Sequence, residues 1–136
     1  MKLLFYKGKE SIWDKLICLI TNSPYSHVEI SDIHDDFGYH MCWSSDAWDG
    51  DVRLKRIWYN PDKWDIVEIS PERTLDWFDQ HKGKKYDFIG LLGTVLKVSW
   101  FNSNSKWFCS EIIAEFLNYP DSWKYTPASL YKKVYK

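Results

Sequence analysis

The spacing of apolar residues changes along the chain, dividing it into a strand-rich front and a helical back. Lys2–Tyr6 is a short apolar and aromatic run closed by Lys7-Gly8-Lys9, which predicts a first strand or extended segment. Ile12, Trp13, Leu16, Ile17 and Ile20 then follow helical spacing behind Ser11, a residue type that caps helices. A helix is therefore predicted over Ile12–Ile20, broken by Asn22-Ser23-Pro24. From Ser26 to Ile33 the period falls to two, with Val28 and Ile30 on one face and His27 and Glu29 on the other. His34-Asp35-Asp36-Phe37-Gly38 reads as a turn and Tyr39–Ser44 as the returning strand. Val52–Trp58 and Trp64–Ile69 read as two more strands, after the polar stretch Ser44–Asp51 and the turn Asn60-Pro61-Asp62.

Helical spacing dominates the rest. Thr74–His81 is predicted helical, introduced by Pro71-Glu72, and Gly83-Lys84-Lys85 is a loop. Tyr86–Val98 carries an apolar face interrupted by Gly90 and Gly93, and Asn102–Ser105 is a polar loop. Phe108–Leu117 is predicted as a helix stopped by Asn118-Tyr119-Pro120, and Pro127–Val134 as a last helical turn or two. Strands grouped ahead of helices predict an α+β fold, a small antiparallel sheet of about four to five strands packed against helices. With no internal repeat and no linker, residues 1–136 read as a single domain.

Composition narrows the classes. The formal net charge is −1, which offers no electrostatic case for nucleic acid or for an anionic membrane surface. Nine Trp, nine Tyr and seven Phe make the chain strongly aromatic, whereas six Gly and five Pro exclude a disordered or low-complexity polypeptide. The longest apolar stretch, Phe88 to Leu96, ends at Lys97, far short of the roughly 20 residues that span a bilayer. The first ten residues carry too short an apolar run for a signal peptide, so the expected setting is cytoplasmic. Cys18, Cys42 and Cys109 are an odd set without C-x-x-C spacing and read as free thiols in a reducing compartment.

Candidate chemistry centres on Cys109, where a helical pattern opens in Trp107-Phe108-Cys109-Ser110-Glu111. A thiol at a helix start meets unpaired backbone N–H groups and the positive end of the helix dipole, and both favour the nucleophilic thiolate. The competing reading is a buried cysteine acting as a small hydrophobe. His27, carried on a strand, has the rigidity a general base needs; a lone histidine is otherwise most often a surface or hydrogen-bonded core residue. A Cys–His pair also needs a third group to fix the imidazole. His40, Cys42 and Ser44 share one face of the next strand, and His40, 13 residues after His27, is the leading candidate. Glu29 lies on the face of His27, but a spacing of roughly 6–7 Å along one strand is awkward for direct contact. His27, His34, His40 and Cys42 have metal-ligand types without a recognisable metal spacing, so neither a metal nor a cofactor is expected. Trp43, Trp48, Trp58 and Trp64 either line a groove or pack beneath helices.

Several segments together resemble a known family, the papain-like cysteine hydrolases of the NlpC type in their circularly permuted, phage-encoded form. Tyr25-Ser26-His27-Val28-Glu29-Ile30 resembles the histidine strand of that family, and Asp49-Gly50-Asp51-Val52-Arg53 resembles its D-G-G-V-R stretch. Gly83-Lys84-Lys85-Tyr86-Asp87-Phe88-Ile89-Gly90 is similar to the G-x-x-Y-D segment, and Trp107-Phe108-Cys109-Ser110-Glu111 to the start of the nucleophile helix. Tyr125-Thr126-Pro127-Ala128-Ser129-Leu130 resembles the usual ending. The similarity covers roughly residues 20 to 130, in the permuted order of histidine, polar residue and cysteine.

The resemblance implies a permuted papain-like fold with Cys109 as nucleophile, His27 as base and His40 as the third member, by analogy with permuted relatives that use a second histidine. Other permuted members place a glutamate on that neighbouring strand, and Tyr39–Ser45 holds none, which keeps Cys42, Ser44 and Glu29 open as alternatives. Tyr86 and Ser110 fall on the substrate and oxyanion side. The implied activity is hydrolysis of an amide bond in a peptide or in peptidoglycan through a thioester, in a protein carried in a phage particle or released at lysis. Two rivals stand beside it: a lipid-directed thioesterase, phospholipase or acyltransferase on the same scaffold, and a non-catalytic phage structural or binding module.

Overall fold

The computed structural model describes residues 1–46, 49–85 and 108–135. Five strands, β1 (Lys2–Tyr6), β2 (His27–His34), β3 (Tyr39–Asp46), β4 (Asp51–Trp58) and β5 (Trp64–Glu68), form one antiparallel sheet in the order β4-β3-β2-β1-β5. Helix α1 (Ile12–Thr21) crosses from β1 to β2, α2 (Cys109–Phe116) follows the sheet in sequence, and α3 (Pro127–Val134) comes last. The α+β arrangement is the one the change of period predicts. The segment expected as a helix at 74–81 is a 3₁₀ helix, Leu75–Gln80, and the apolar segment 86–98 and the loop 102–105 lie outside the described residues.

Local chemistry accounts for the boundaries. Ser11 opens α1 with a reciprocal cap: its hydroxyl accepts from the Asp14 N–H at 2.9 Å, and the Asp14 carboxylate accepts from the Ser11 N–H at 3.0 Å. Asn22 ends the helix in the left-handed region, φ 46°. Gly50, at φ +77°, closes the β3–β4 turn by donating its N–H to the Asp46 carbonyl at 2.8 Å, a conformation costly for residues with a Cβ.

The main core lies on the Val28 and Ile30 face of the sheet. Leu3, Phe5, Val28, Ile30 and Trp43 pack there with Phe78, Ile112, Ile113, Phe116 and Leu130, so α2 rests directly on β2 and β3. Trp43 belongs to this core, stacked on Phe78 with centroids 5.7 Å apart, whereas Trp58 is exposed and Trp48 lies outside the described residues. The opposite face is also covered: Glu29, Ser31, His40 and Ser44 are all buried. Alternation correctly assigns the two faces but does not reveal that the polar one is enclosed. Helix α1 is turned the other way, burying Ile17 and Cys18 while Ile12, Trp13, Leu16, Leu19 and Ile20 stay exposed. None of the described helices is long and apolar enough to cross a membrane.

Candidate active site

β2 begins at His27, where Tyr25 and Ser26 tie the chain down. The Tyr25 hydroxyl donates to Asp65 Oδ2 at 2.6 Å, and the Ser26 N–H donates to the Tyr6 carbonyl at 3.1 Å. The imidazole therefore projects from a fixed backbone. Cys109 is the first residue of α2, after Phe108 with extended φ −105° and ψ 164°. Packing of α2 on β2 brings Cys109 near enough to His27 for the sulfur to act on the imidazole's protonation, favouring its charged form. Cys109 is 2% exposed, and the His27 side chain 17%.

On its other side His27 meets Glu29. Its Nε2 lies 2.7 Å from Glu29 Oε1, so Nδ1 is the ring nitrogen left for the sulfur. Both side chains lean along the strand and close the spacing that the backbone alone leaves open. Glu29, 1% exposed, is gripped from β4 by Arg53, whose Nη1 donates to Oε2 at 2.8 Å and Nη2 to Oε1 at 2.7 Å. The guanidinium continues outward, Nη2 donating to Asp46 Oδ2 at 3.0 Å and Nε to Asp49 Oδ2 at 2.8 Å. Lys55 also donates to Asp49, at 3.0 Å. Ser44 stands opposite Arg53 on the intervening strand, and its small side chain leaves room for the arm to cross from β4 to β2.

The charges follow from these contacts. Burial disfavours the His27 imidazolium, but the charges of Cys109 and Glu29, with hydrogen bonds to both, override it and raise the pKa well above the ordinary 6.5. Burial likewise works to raise the Glu29 carboxyl, yet Arg53 first and His27 second bring it down to about 2. Neither of the other two thiols sits beside His27: Cys18 Sγ donates to the Pro24 carbonyl and Cys42 Sγ to the His40 carbonyl. Burial above all pushes both Cys18 and Cys42 up; Lys9 opposes it and Asp14 adds to it at Cys18, while at Cys42 Glu29 adds to it and Arg53 and a hydrogen bond with Ser31 oppose it.

The expected third member, His40, is elsewhere. The β2–β3 register pairs Ile30 with Trp43 and His34 with His40, which puts His40 beside the hairpin turn, roughly 20 Å along the strand from His27. There its ring stacks on His34 with centroids 5.6 Å apart and meets Tyr59 edge-on at 6.2 Å. Cys42 Sγ donates to the His40 carbonyl, and the Ser44 hydroxyl donates to the Val28 carbonyl at 2.7 Å, so neither faces the imidazole as a partner. Ser110 is fully buried and donates its hydroxyl to the Tyr125 carbonyl at 2.5 Å, fixing α2 to the following segment instead of presenting a donor to substrate. Tyr86 lies outside the described residues. Asp46, Asp49 and Arg53 join the site without a sequence signal for that role: the D-G-D-V-R stretch holds Asp49 and Arg53 but does not indicate that the arginine reaches back to β2.

A cavity of about 430 Å³ opens beside the imidazole. Its wall combines His27, Glu29, Asp46 and Arg53 with Tyr6, Trp13, Ile17 and Trp64, so charged groups and an apolar aromatic wall face the same space. Ligand atoms of His27, Glu29 and Asp46 lie within 4.8 Å of one another, a spacing suited to a cation. Arg53 already supplies a positive charge there, bridging Glu29 and Asp46. No protein-family model, curated protein or solved structure matches this chain.

Proposed function

We propose that this chain is a cysteine-dependent acyl-transfer hydrolase of the permuted papain-like, NlpC type, cleaving an amide bond in a peptide or in peptidoglycan. One observation carries the reading: an imidazole held between a helix-start sulfur and a buried carboxylate. That is the nucleophile, base and orienting group of a catalytic triad, recognised by role and geometry, not by sequence position. The chain order of histidine strand before cysteine helix agrees with the permuted form, with Glu29 taking the orienting role.

In the proposed cycle, His27 takes the Cys109 proton and the sulfur attacks the substrate carbonyl. The carbonyl electrons move onto oxygen, and the oxyanion is met by the Cys109 backbone N–H at the start of α2; one such donor is typically worth about 3 kcal/mol of barrier. The C–N bond then breaks as His27 passes its proton to the leaving amine, giving a thioester. His27 next deprotonates a water that attacks this thioester, releasing the carboxylic acid and restoring the thiol. Glu29 holds the ring in place and stabilises its positive form throughout.

The apolar wall formed by Tyr6, Trp13, Ile17 and Trp64 favours a second reading, in which the acyl group is a lipid chain and the scissile bond an ester or thioester. Product assays on peptidoglycan fragments and on acyl esters separate the two. The shared mechanism is tested by alkylation and substitution. Iodoacetamide at near-neutral pH is expected to modify Cys109 faster than Cys18 or Cys42, and Cys109→Ala and His27→Ala are each expected to abolish turnover. Equal alkylation of all three thiols, or turnover by Cys109→Ala, would sink the hydrolase reading and leave a binding module.

A further inference from the structure

We propose that Asp46 and Asp49, acting through Arg53, form a clamp that fixes the Glu29 carboxylate against His27 and keeps its negative charge available to the imidazole. The proposal rests on the triad reading and concerns positioning residues, since none of the three touches the reacting atoms.

The argument begins with the donors of the guanidinium. Arg53 spends Nη1 and one Nη2 proton on the two Glu29 oxygens, a planar fork that fixes the plane of that carboxylate. Glu29 Oε1 is also the atom 2.7 Å from His27 Nε2, so fixing the carboxylate fixes the ring. The fork by itself would have a cost: an isolated Arg–Glu pair is self-neutralising, and a cation bound to Glu29 weakens its attraction for a second cation on the other side. The structure places further carboxylates on the far edges of the guanidinium, Asp46 on Nη2 at 3.0 Å and Asp49 on Nε at 2.8 Å. They draw on the arginine's charge from behind. Three carboxylates against Arg53 and Lys55 leave the cluster with one net negative charge, which His27 balances when protonated.

The geometry supports a built device over a chance surface network. Arg53 is 11% exposed and Glu29 is enclosed, so these interactions are little screened by water. Asp46 ends β3 and Asp49 stands beside Gly50, whose N–H donates to the Asp46 carbonyl at 2.8 Å, and both carboxylates meet the same guanidinium. Among the described residues, the charged and titratable groups around His27 are Cys109 from α2, Glu29 on its own strand, Asp46 from β3 and Arg53 from β4, with Tyr6, Glu10, Asp14 and Lys55 lining the same cavity. Of these, Asp46 can be neutralised isosterically without touching the Cys109–His27–Glu29 contacts.

The test uses the full chain carrying Asp46→Asn, Asp49→Asn or Arg53→Lys, with EDTA present so that no divalent ion settles among His27, Glu29 and Asp46 when the arginine is changed. Thermal melts first establish that each variant is folded. The His27 ring is then titrated by NMR, a readout independent of turnover, and kcat and KM are measured across pH. In Asp46→Asn the His27 midpoint is expected to fall by about one unit, and the pH limb set by imidazolium loss should move with it. In Arg53→Lys, which keeps the charge but loses the planar fork, kcat is expected to fall about tenfold with little change in KM. If Asp46→Asn and Arg53→Lys fold normally and leave the His27 midpoint and kcat unmoved while Cys109→Ala is inactive, the clamp is overturned and the hydrolase reading stands. If the wild type hydrolyses nothing, that reading fails, and the ring titration still decides whether the clamp operates.

Discussion

Replacing Glu29 by glutamine removes one charge and almost no volume, so its effect on stability isolates the electrostatics of the buried arm. The carboxyl falls from an ordinary 4.5 to about 2 in the folded chain. A carboxyl depressed on folding stabilises the native state above its unfolded pKa, and that contribution is lost as pH drops through the folded value. Here the contribution is complete above about pH 5 and disappears towards pH 2. A shift of this size corresponds to about 3 kcal/mol at pH 7, shrinking to about 1 kcal/mol at pH 3. With Glu29 1% exposed, solvent screening takes little from that figure. The glutamine also turns an N–H₂ group towards either Arg53 or His27, so at least one buried donor loses its acceptor. Urea unfolding followed by tryptophan fluorescence should therefore show Glu29→Gln less stable by about 3 kcal/mol at pH 7, with the gap narrowing on acidification. A penalty below about 1 kcal/mol at pH 7, or one of equal size at pH 7 and pH 3, would refute the reasoning that Glu29 is held as a buried anion.

Three further outcomes follow from the same structure. His40 is buried, its Nδ1 has no hydrogen-bond partner among the described residues, and burial first, then the charges of Lys2 and His34, lower its pKa. His40→Leu should leave turnover unchanged and cost no stability at pH 7. Because the unfolded histidine takes a proton near 6.5 while the folded one resists it, the wild type should lose stability below that pH more steeply than the variant in acid denaturation series. Ser11→Ala removes the reciprocal cap of α1 and should cost about 1 kcal/mol in chemical unfolding. Ile112→Ala, in the fully buried face of α2, should cost roughly 2–5 kcal/mol and lower the melting temperature, with activity per folded molecule retained.

What the sequence determined by itself was local. Helical spacing and a capping serine set α1, period two set β2, apolar runs between turn residues set the later strands, and a polar break before Cys109 marked the start of α2, because each depends on preferences within a few residues. Cys109 and His27, the proposed nucleophile and base, were legible as residue types for the same reason. The proposed third member was not: a count of residues across the hairpin favours His40, whereas the register decides which residues stand opposite His27. The register pairs Ile30 with Trp43 and, past a bulge between Ser31 and Ile33, His34 with His40, which carries His40 to the turn; continued back along β2, it brings Asp46 alongside the His27 end. Glu29 was on the correct face, and only side-chain conformation closes its gap to 2.7 Å. The arginine clamp lay further from reach. Nothing near Arg53 in sequence indicates that its arm passes over Ser44 to a carboxylate 24 residues away. Burial, register and charge pairing are long-range properties, and only the folded sheet, by enclosing its polar face, turned scattered charged residues into one network.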